Sequence, residues 1–331
     1  MLSATIGRAV TRSWQQRTLS AYLLWPLSVV YCGWVTLRRN GYRAGLLRVH
    51  RFDVPVVIVG NLTVGGTGKT PLVIWIVQQL REHGFHPGVV SRGYGARTSP
   101  TPQTVTADSD PRVVGDEPVL IARRGQCPVV VHADRVAAAK RLIDAHRCDV
   151  VVADDGLQHY RLKRDIEVAV LDGERGFGNG FCLPAGPLRE PAARLRACDF
   201  RVINGGGEGG LSMRLRLARM VAVRDSRRDQ PLAEFLGRKV HAVAGIGNPE
   251  RFFSALEAAG LEIIRHPFPD HFRFAPVDLD FGDALTTIMT EKDAVKCEPF
   301  ATADMWFAEV ETEVDPKLIE RILIMLQAKK C

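Results

Sequence analysis

Beyond residue 51 the chain alternates two patterns. Short unbroken apolar runs at 54–59 (VPVVIV), 89–90, 129–131 and 150–153 are rich in β-branched residues, as in strands buried on both faces of a parallel sheet. Between them, residues 71–81 are an apolar helical stretch and 134–145 read as a second helix. This order predicts a doubly wound, mostly parallel α/β sheet. After Asp165 the pattern restarts, with strands expected at 166–171, 200–203, 240–246, 261–265 and 285–289 and a helix at 249–259. The last helix has Asp315 as N-cap, Pro316 at its first position and a stripe of Leu318, Ile319, Ile322, Leu323 and Leu326. The pattern therefore predicts a first unit at 51–163, a second, smaller α/β unit at 164–304, and residues 305–331 packing back on the first.

Charge separates the N-terminus from this body. Residues 1–51 hold eight arginines (Arg8, Arg12, Arg17, Arg38, Arg39, Arg43, Arg48 and Arg51) and no Asp or Glu, whereas the whole chain carries +7. The body beyond residue 51 is thus close to neutral, which excludes a nucleic-acid binder whose positive charge lies on the folded domain. Residues 19–37 are uncharged and include Tyr22, Trp25, Tyr31 and Trp34; as a helix they would reach roughly 28 Å. Pro26 interrupts the stretch, no small-x-small cleavage site follows it, and arginines on both sides remove any orientation signal. Residues 1–50 therefore read as a basic, apolar helical segment associated with an anionic membrane surface rather than spanning it. The seven cysteines are scattered without a C-x-x-C pair, which argues against a zinc site or disulfide framework and suits a reducing compartment.

The chemistry begins after the first strand, where Thr63, Val64, Gly65, Gly66, Thr67, Gly68, Lys69 and Thr70 precede a helix. Strand, glycine loop and helix are the context of a P-loop. Its backbone N–H groups wrap phosphate oxygens, its lysine reaches the β and γ phosphates, and its hydroxyl ligates Mg²⁺. The strict pattern would have Gly where Thr63 stands. Asp154 and Asp155 end the strand at 150–153, where a P-loop protein carries a carboxylate for the metal. The first unit is thus a P-loop nucleotide-binding domain. The run N-G-G-G-E-G-G at 204–210 lacks G-K-[ST] and reads as a flexible turn.

Seven motifs, V-G-G-T-G-K-T-P, S-R-G-Y-G, V-G-D-E-P, D-D-G-L-Q-H, G-P-L-R-E, P-D-H-F and T-E-K-D-A-V-K-C, stand in this order behind the basic terminus. Over residues 10–310 the chain closely resembles the tetraacyldisaccharide 4'-kinase family of lipid A (lipopolysaccharide) biosynthesis. The resemblance implies transfer of the ATP γ-phosphoryl group, with Mg²⁺, to the 4'-hydroxyl of a tetraacylated glucosamine disaccharide 1-phosphate at the cytoplasmic face of the inner membrane, giving lipid IVA. It implies Asp116 as base with His271 as its partner, Glu117 and Asp155 near Mg²⁺ with Asp154 beside them, and Glu190 in the cleft. Arg92 and Tyr94 are candidates to meet the substrate, and Lys292 to reach nucleotide or substrate. For Glu291 and Asp293 helix capping rivals catalysis. No obligate protein partner is expected. The rival is a deviant P-loop ATPase of the membrane-partitioning or cluster-carrier type, whose hallmark lysine would stand at Val64; a GTPase-like switch lacks its N-K-x-D motif here.

Overall fold

The computed structural model describes residues 13–94 and 99–330; Arg8, Arg12 and Gly95 of the S-R-G-Y-G run lie outside the described residues. The chain order is α1 (Leu19–Arg43), β1 (Val56–Gly60), α2 (Lys69–Glu82), β2 (Pro87–Ser91), β3 (Gln103–Val105), α3 (Pro111–Val114), α4 (Asp116–Gly125), β4 (Val129–Val131), α5 (Arg135–His146), β5 (Val150–Asp154), β6 (Ile166–Asp172) and β7 (Phe200–Asn204). Then follow β8 (Leu211–Ala222), β9 (Asp229–Pro231), β10 (Lys239–Ala244), α6 (Pro249–Ala258), β11 (Glu262–Pro267), β12 (Thr287–Thr290), α7 (Glu291–Cys297), β13 (Met305–Val314) and α8 (Lys317–Lys330).

The strands form one mixed sheet in the order β11-β10-β12-β13-β8-β7-β6-β1-β5-β2-β4-β3, with β9 on β8. β1 lies between β5 and β6, parallel to both, with Val57 opposite Val152 and Ile166. The first sheet thus runs on past residue 163 through β6 and β7 without a break. The change comes at β8 and β13, a long antiparallel pair running from Trp306 opposite Ala222 to Val314 opposite Met213. It joins the parallel set β12, β10 and β11 to the rest.

The buried blocks behave as doubly covered strands do. On one face Leu72, Val73, Ile76, Val77 and Leu80 of α2 pack on Val57, Val59 and Val152, and Leu318, Ile322 and Leu326 of α8 complete the same core. On the other, Ala138, Ala139 and Leu142 of α5 pack on Ile58 and Val151. Because β1 and β5 are central, their C-terminal ends place the loop after β1 and Asp154–Asp155 side by side.

Helix α1 is asymmetric. Thr18 caps it, and one face lies against the body: Ser28 Oγ donates to Cys182 O at 2.6 Å, Tyr31 OH to Arg189 O at 3.1 Å and Arg38 Nη1 to Gln158 O at 3.4 Å. Leu19, Leu23, Leu27, Val30, Trp34 and Leu37 recur at helical spacing and are all exposed.

Candidate active site

The loop after β1 is shaped by two glycines in the left-handed region, Gly65 (φ 106°) and Gly68 (φ 90°). At Gly68 a Cβ would lie 2.4 Å from Asn204 Nδ2, and that amide donates to Thr67 O at 3.1 Å. Asn61 Nδ2 donates to Thr67 Oγ1 at 3.2 Å, and Val64 N–H to Pro187 O at 2.9 Å. The loop is therefore braced from β7 and from the 183–188 segment, and Lys69 and Thr70 open α2. Lys69 Nζ is 3.6 Å from Asp155 Oδ1.

The two aspartates after β5 differ. Asp155 (φ 48°) is gripped by Arg189 at 2.8 and 3.1 Å; burial resists its charge, but Lys69 and Arg189 hold its pKa below the ordinary value. Asp154 is buried and accepts from Ser91 Oγ at 3.0 Å, while its Oδ1 has no hydrogen-bond partner among the described residues. Burial, and then the negative charges of Glu117 and Asp155, raise its pKa.

Across the cleft stands a second cluster. Gly115 (φ 97°) allows the turn into α4; a Cβ there would meet Gly93 Cα and Tyr94 O at 3.2 Å. Asp116 follows, buried at the start of α4. Both its oxygens lie 3.2 Å from His271 Nδ1, whose residue comes 155 positions later in the chain. Tyr94 packs its ring on His271 with centroids 4.8 Å apart. Lys292 Nζ reaches Glu117 Oε1 at 2.9 Å, Asp270 Oδ1 at 3.2 Å and His271 Nε2 at 3.4 Å. Burial works against the Asp116 carboxylate, yet the His271 hydrogen bond and the charges of Lys292 and Lys296 hold its pKa at about 2. Burial likewise opposes a charged His271, and the Asp116 hydrogen bond outweighs it, so the imidazole pKa is raised above 6.5.

Lys69, Asp154, Asp155, Glu117, His271 and Lys292 line one cleft of about 2440 Å³, with Arg92 and Tyr94 also on its wall. A single small-molecule site seldom exceeds roughly 1,000 Å³, so there is room for two substrates. Glu190 lies apart from the cleft lining. It is buried, accepting from Gln158 Nε2 at 3.0 Å and from Tyr160 OH, with Arg194 Nε 3.8 Å away. These neighbours cover both its oxygens, so it braces the segment carrying Arg189 rather than facing a ligand. Asp293 is likewise structural, its Oδ2 accepting from Gly245 N–H at 2.7 Å and from Thr290 Oγ1 at 2.6 Å, whereas Glu291 lies on the cleft wall and pairs there with Arg124 at 3.2 Å.

Arg189, Arg175, Asn204 and Lys296 also belong to the site's surroundings and escape sequence reasoning. Arg189 stands in the G-P-L-R-E motif beside Glu190, and Asn204 opens the glycine-rich run at 204–210. Lys296 Nζ lies 2.6 Å from Asp293 Oδ1, without hydrogen-bond alignment, and 3.8 Å from Asp116 Oδ2. For Arg175 no pattern in the sequence is informative.

A braced phosphate loop at the head of a helix, carboxylates on the neighbouring strand, and a histidine on the wall of the same large cleft, backed by a buried aspartate, define a P-loop phosphotransferase. The model of the tetraacyldisaccharide-1-P 4'-kinase family matches residues 20–327. The chain belongs to that family. The tetraacyldisaccharide 4'-kinase of Nitrosococcus oceani is 50% identical, covering 97% of this chain and 96% of that protein; that of Alkalilimnicola ehrlichii is 53% identical over 91% of each. Among solved structures, the "apo" form of LpxK from Aquifex aeolicus in complex with ATP aligns with a TM-score of 0.77 at 25% identity, covering 92% of this chain and 99% of that one.

Proposed function

We propose that this cleft moves the γ-phosphoryl group of ATP onto the 4'-hydroxyl of a tetraacyldisaccharide 1-phosphate, giving lipid IVA. The observation that carries the reading is the Asp116–His271 pair, 3.2 Å apart, whose imidazole lines the same cleft as Lys69, in a chain of this family. The loop N–H groups and Lys69 hold the β and γ phosphates, releasing Lys69 from Asp155. Asp116 takes the hydroxyl proton. A carboxylate held at about 2 keeps a proton poorly, and the adjoining imidazole, with its raised affinity, shares it. Lys292 holds Glu117, Asp270 and His271 in place. Arg92 and Tyr94, both exposed on the cleft wall, suit the anionic disaccharide head.

The residues fit Mg²⁺. Among the described residues Asp154 Oδ1 is a buried carboxylate oxygen without a hydrogen-bond partner, and Glu117 and Asp155 crowd it with negative charge. Asp154 and Thr70 would hold the ion, with Asp155 and Glu117 adding negative charge beside it. When bound it supplies positive charge to the migrating phosphoryl group.

The protein works at the cytoplasmic face of the inner membrane, and what supports its association with a membrane surface is the outward stripe of α1. Six large apolar side chains face away from the body while the opposite face is hydrogen-bonded to it, so the helix suits the plane of the interface rather than an independent span. The family match and the relatives do not favour the partitioning-ATPase alternative, whose lysine position is held by Val64. Incubation with ATP, Mg²⁺ and a tetraacyldisaccharide 1-phosphate, followed by mass spectrometry, tests the reading. A product heavier by one phosphate at the 4' position is expected; free phosphate release without modified lipid would refute it.

A further inference from the structure

Arg175 has no part in the roles assigned so far, yet its guanidinium sits on the rim of the phosphate loop. Asp172, buried at the end of β6, accepts from the backbone N–H groups of Glu174 and Arg175 at 3.1 Å each. Its Oδ2 accepts from Arg175 Nε at 3.0 Å and lies 2.9 Å from Nη2. Its Oδ1 also takes Arg251 Nη2 of α6 at 3.0 Å, and Arg251 has the exposed Glu174 at 3.6 Å. This grip fixes one edge of the planar fork and aims the rest at two loops. Nη2 donates to Gly66 O of the phosphate loop, and Nη1 to Gly247 O, in the turn after β10, at 3.3 Å.

The loops leave that space by using glycine. A Cβ on Gly65 would come within 3.4 Å of Arg175 Nη1, and one on Gly247 within 2.4 Å of Gly66 N. The guanidinium thus fills a slot between the phosphate loop and the opposite side of the cleft, and the acceptor of Nη1 is a neutral carbonyl. Hydrogen bonds to ionised oxygens are roughly twice as strong as neutral ones, and a triphosphate in the loop would bring such oxygens to the slot.

We infer that Arg175 is a catalytic residue of the phosphoryl transfer, exchanging the Gly247 carbonyl for an oxygen of the nucleotide's terminal phosphate. In the reaction the sugar 4'-oxygen forms a bond to the γ-phosphorus. The bond from that phosphorus to the β,γ-bridging oxygen breaks, its electron pair stays on ADP, and the hydroxyl proton passes to Asp116 and His271. Arg175 makes and breaks no covalent bond. It stabilises charge on the moving group, as arginines supplied within a chain or by a partner do in other phosphate-loop enzymes. The inference rests on the reading that residues 63–70 hold the nucleotide phosphates.

The test uses the full-length enzyme with ATP, Mg²⁺ and tetraacyldisaccharide 1-phosphate, comparing Arg175→Ala and Arg175→Lys with Lys69→Ala. Arg175→Ala is expected to lower kcat by about 10²- to 10⁴-fold. The ADP dissociation constant should stay within about threefold and the Tm within a few degrees, and about 50 mM guanidinium chloride should recover roughly tenfold of the lost rate. Arg175→Lys keeps a charge beside Asp172 without the fork, so a loss of about tenfold or more at unchanged Tm is expected. It decides the matter if the alanine variant does not fold. A kcat within threefold of the parent in either folded variant overturns the inference. So does a parallel loss of ADP and ATP affinity with lowered Tm and no guanidinium rescue, which would make Arg175 a clasp between loops. Full turnover by Lys69→Ala would instead overturn the phosphate-loop reading itself, whatever Arg175 does.

Discussion

Replacing Asp116 by asparagine keeps the shape of the side chain and removes its charge, and the structure sets the size of the effect. Holding the carboxyl at about 2 instead of 3.8 means that folding favours the charged form by about 2.4 kcal/mol. At pH 7 Asp116→Asn loses that contribution and leaves His271, Lys292 and Lys296 without their shared anion, so a destabilisation of about 2–3 kcal/mol is expected, or roughly 3–4 °C in Tm. The pKa is depressed on folding, so the contribution is present above the unfolded value and is lost as pH falls through the folded one. The difference between parent and variant should therefore be full above about pH 4 and close toward pH 2. Catalysis should fall further than stability accounts for, by about 10² to 10⁴ in kcat, with ATP affinity nearly intact. His271→Ala should do the same, and the double variant should be little worse than the poorer single one, because the pair handles one proton. His271 must be neutral to share that proton and its pKa is raised. The acid limb of kcat/KM should thus lie above pH 6.5 and vanish in His271→Ala. The assays are calorimetry across pH and initial rates with the lipid acceptor. Strictly multiplicative losses, or a defect confined to the KM for ATP, would refute the reasoning and move the search for the base to Asp154.

Three further outcomes are expected. Lys69→Ala should lose most turnover while remaining folded, since the charge that follows the phosphoryl group is gone; activity within threefold of the parent would contradict this. Gly68→Ala places a methyl 2.4 Å from Asn204 Nδ2 at φ 90°, and left-handed strain plus the lost Asn204–Thr67 bond should cost about 2–4 kcal/mol; an unchanged Tm would show that the loop relaxes freely. Changing Leu23, Leu27 and Val30 together to glutamate should release the protein from anionic vesicles without lowering its Tm, because all three face outward; continued flotation with the vesicles at high salt would place the membrane contact elsewhere.

Local pattern was enough for the parallel sheet around β1. Strands buried on both faces must be apolar throughout, so 54–59, 129–131 and 150–153 declare themselves, and the glycines and lysine of 63–70 announce the phosphate loop because backbone curvature and charge are both local properties. The charge asymmetry of the first 51 residues is equally plain. The pair β8 and β13 was harder. In LSMRLRLARMVA the alternation is present, but its arginines find Glu313 and Glu309 on a strand about ninety residues later, and nothing local tells a solvated row from a paired one. The register that joins β6 to β1 across residue 163 is of the same kind, since a pause in pattern does not say whether a sheet stops. Partnership decided the site. Asp116 and His271 meet only because α4 and the loop after β11 converge at one side of the cleft, and Glu190 turns inward only because Gln158, Tyr160 and Arg194 surround it. Arg175 owes its place to Asp172, Gly66 and Gly247, which come from three separate segments. Periodicity and backbone freedom are written residue by residue, whereas the protonation, burial and aim of a side chain depend on neighbours that only the folded chain supplies.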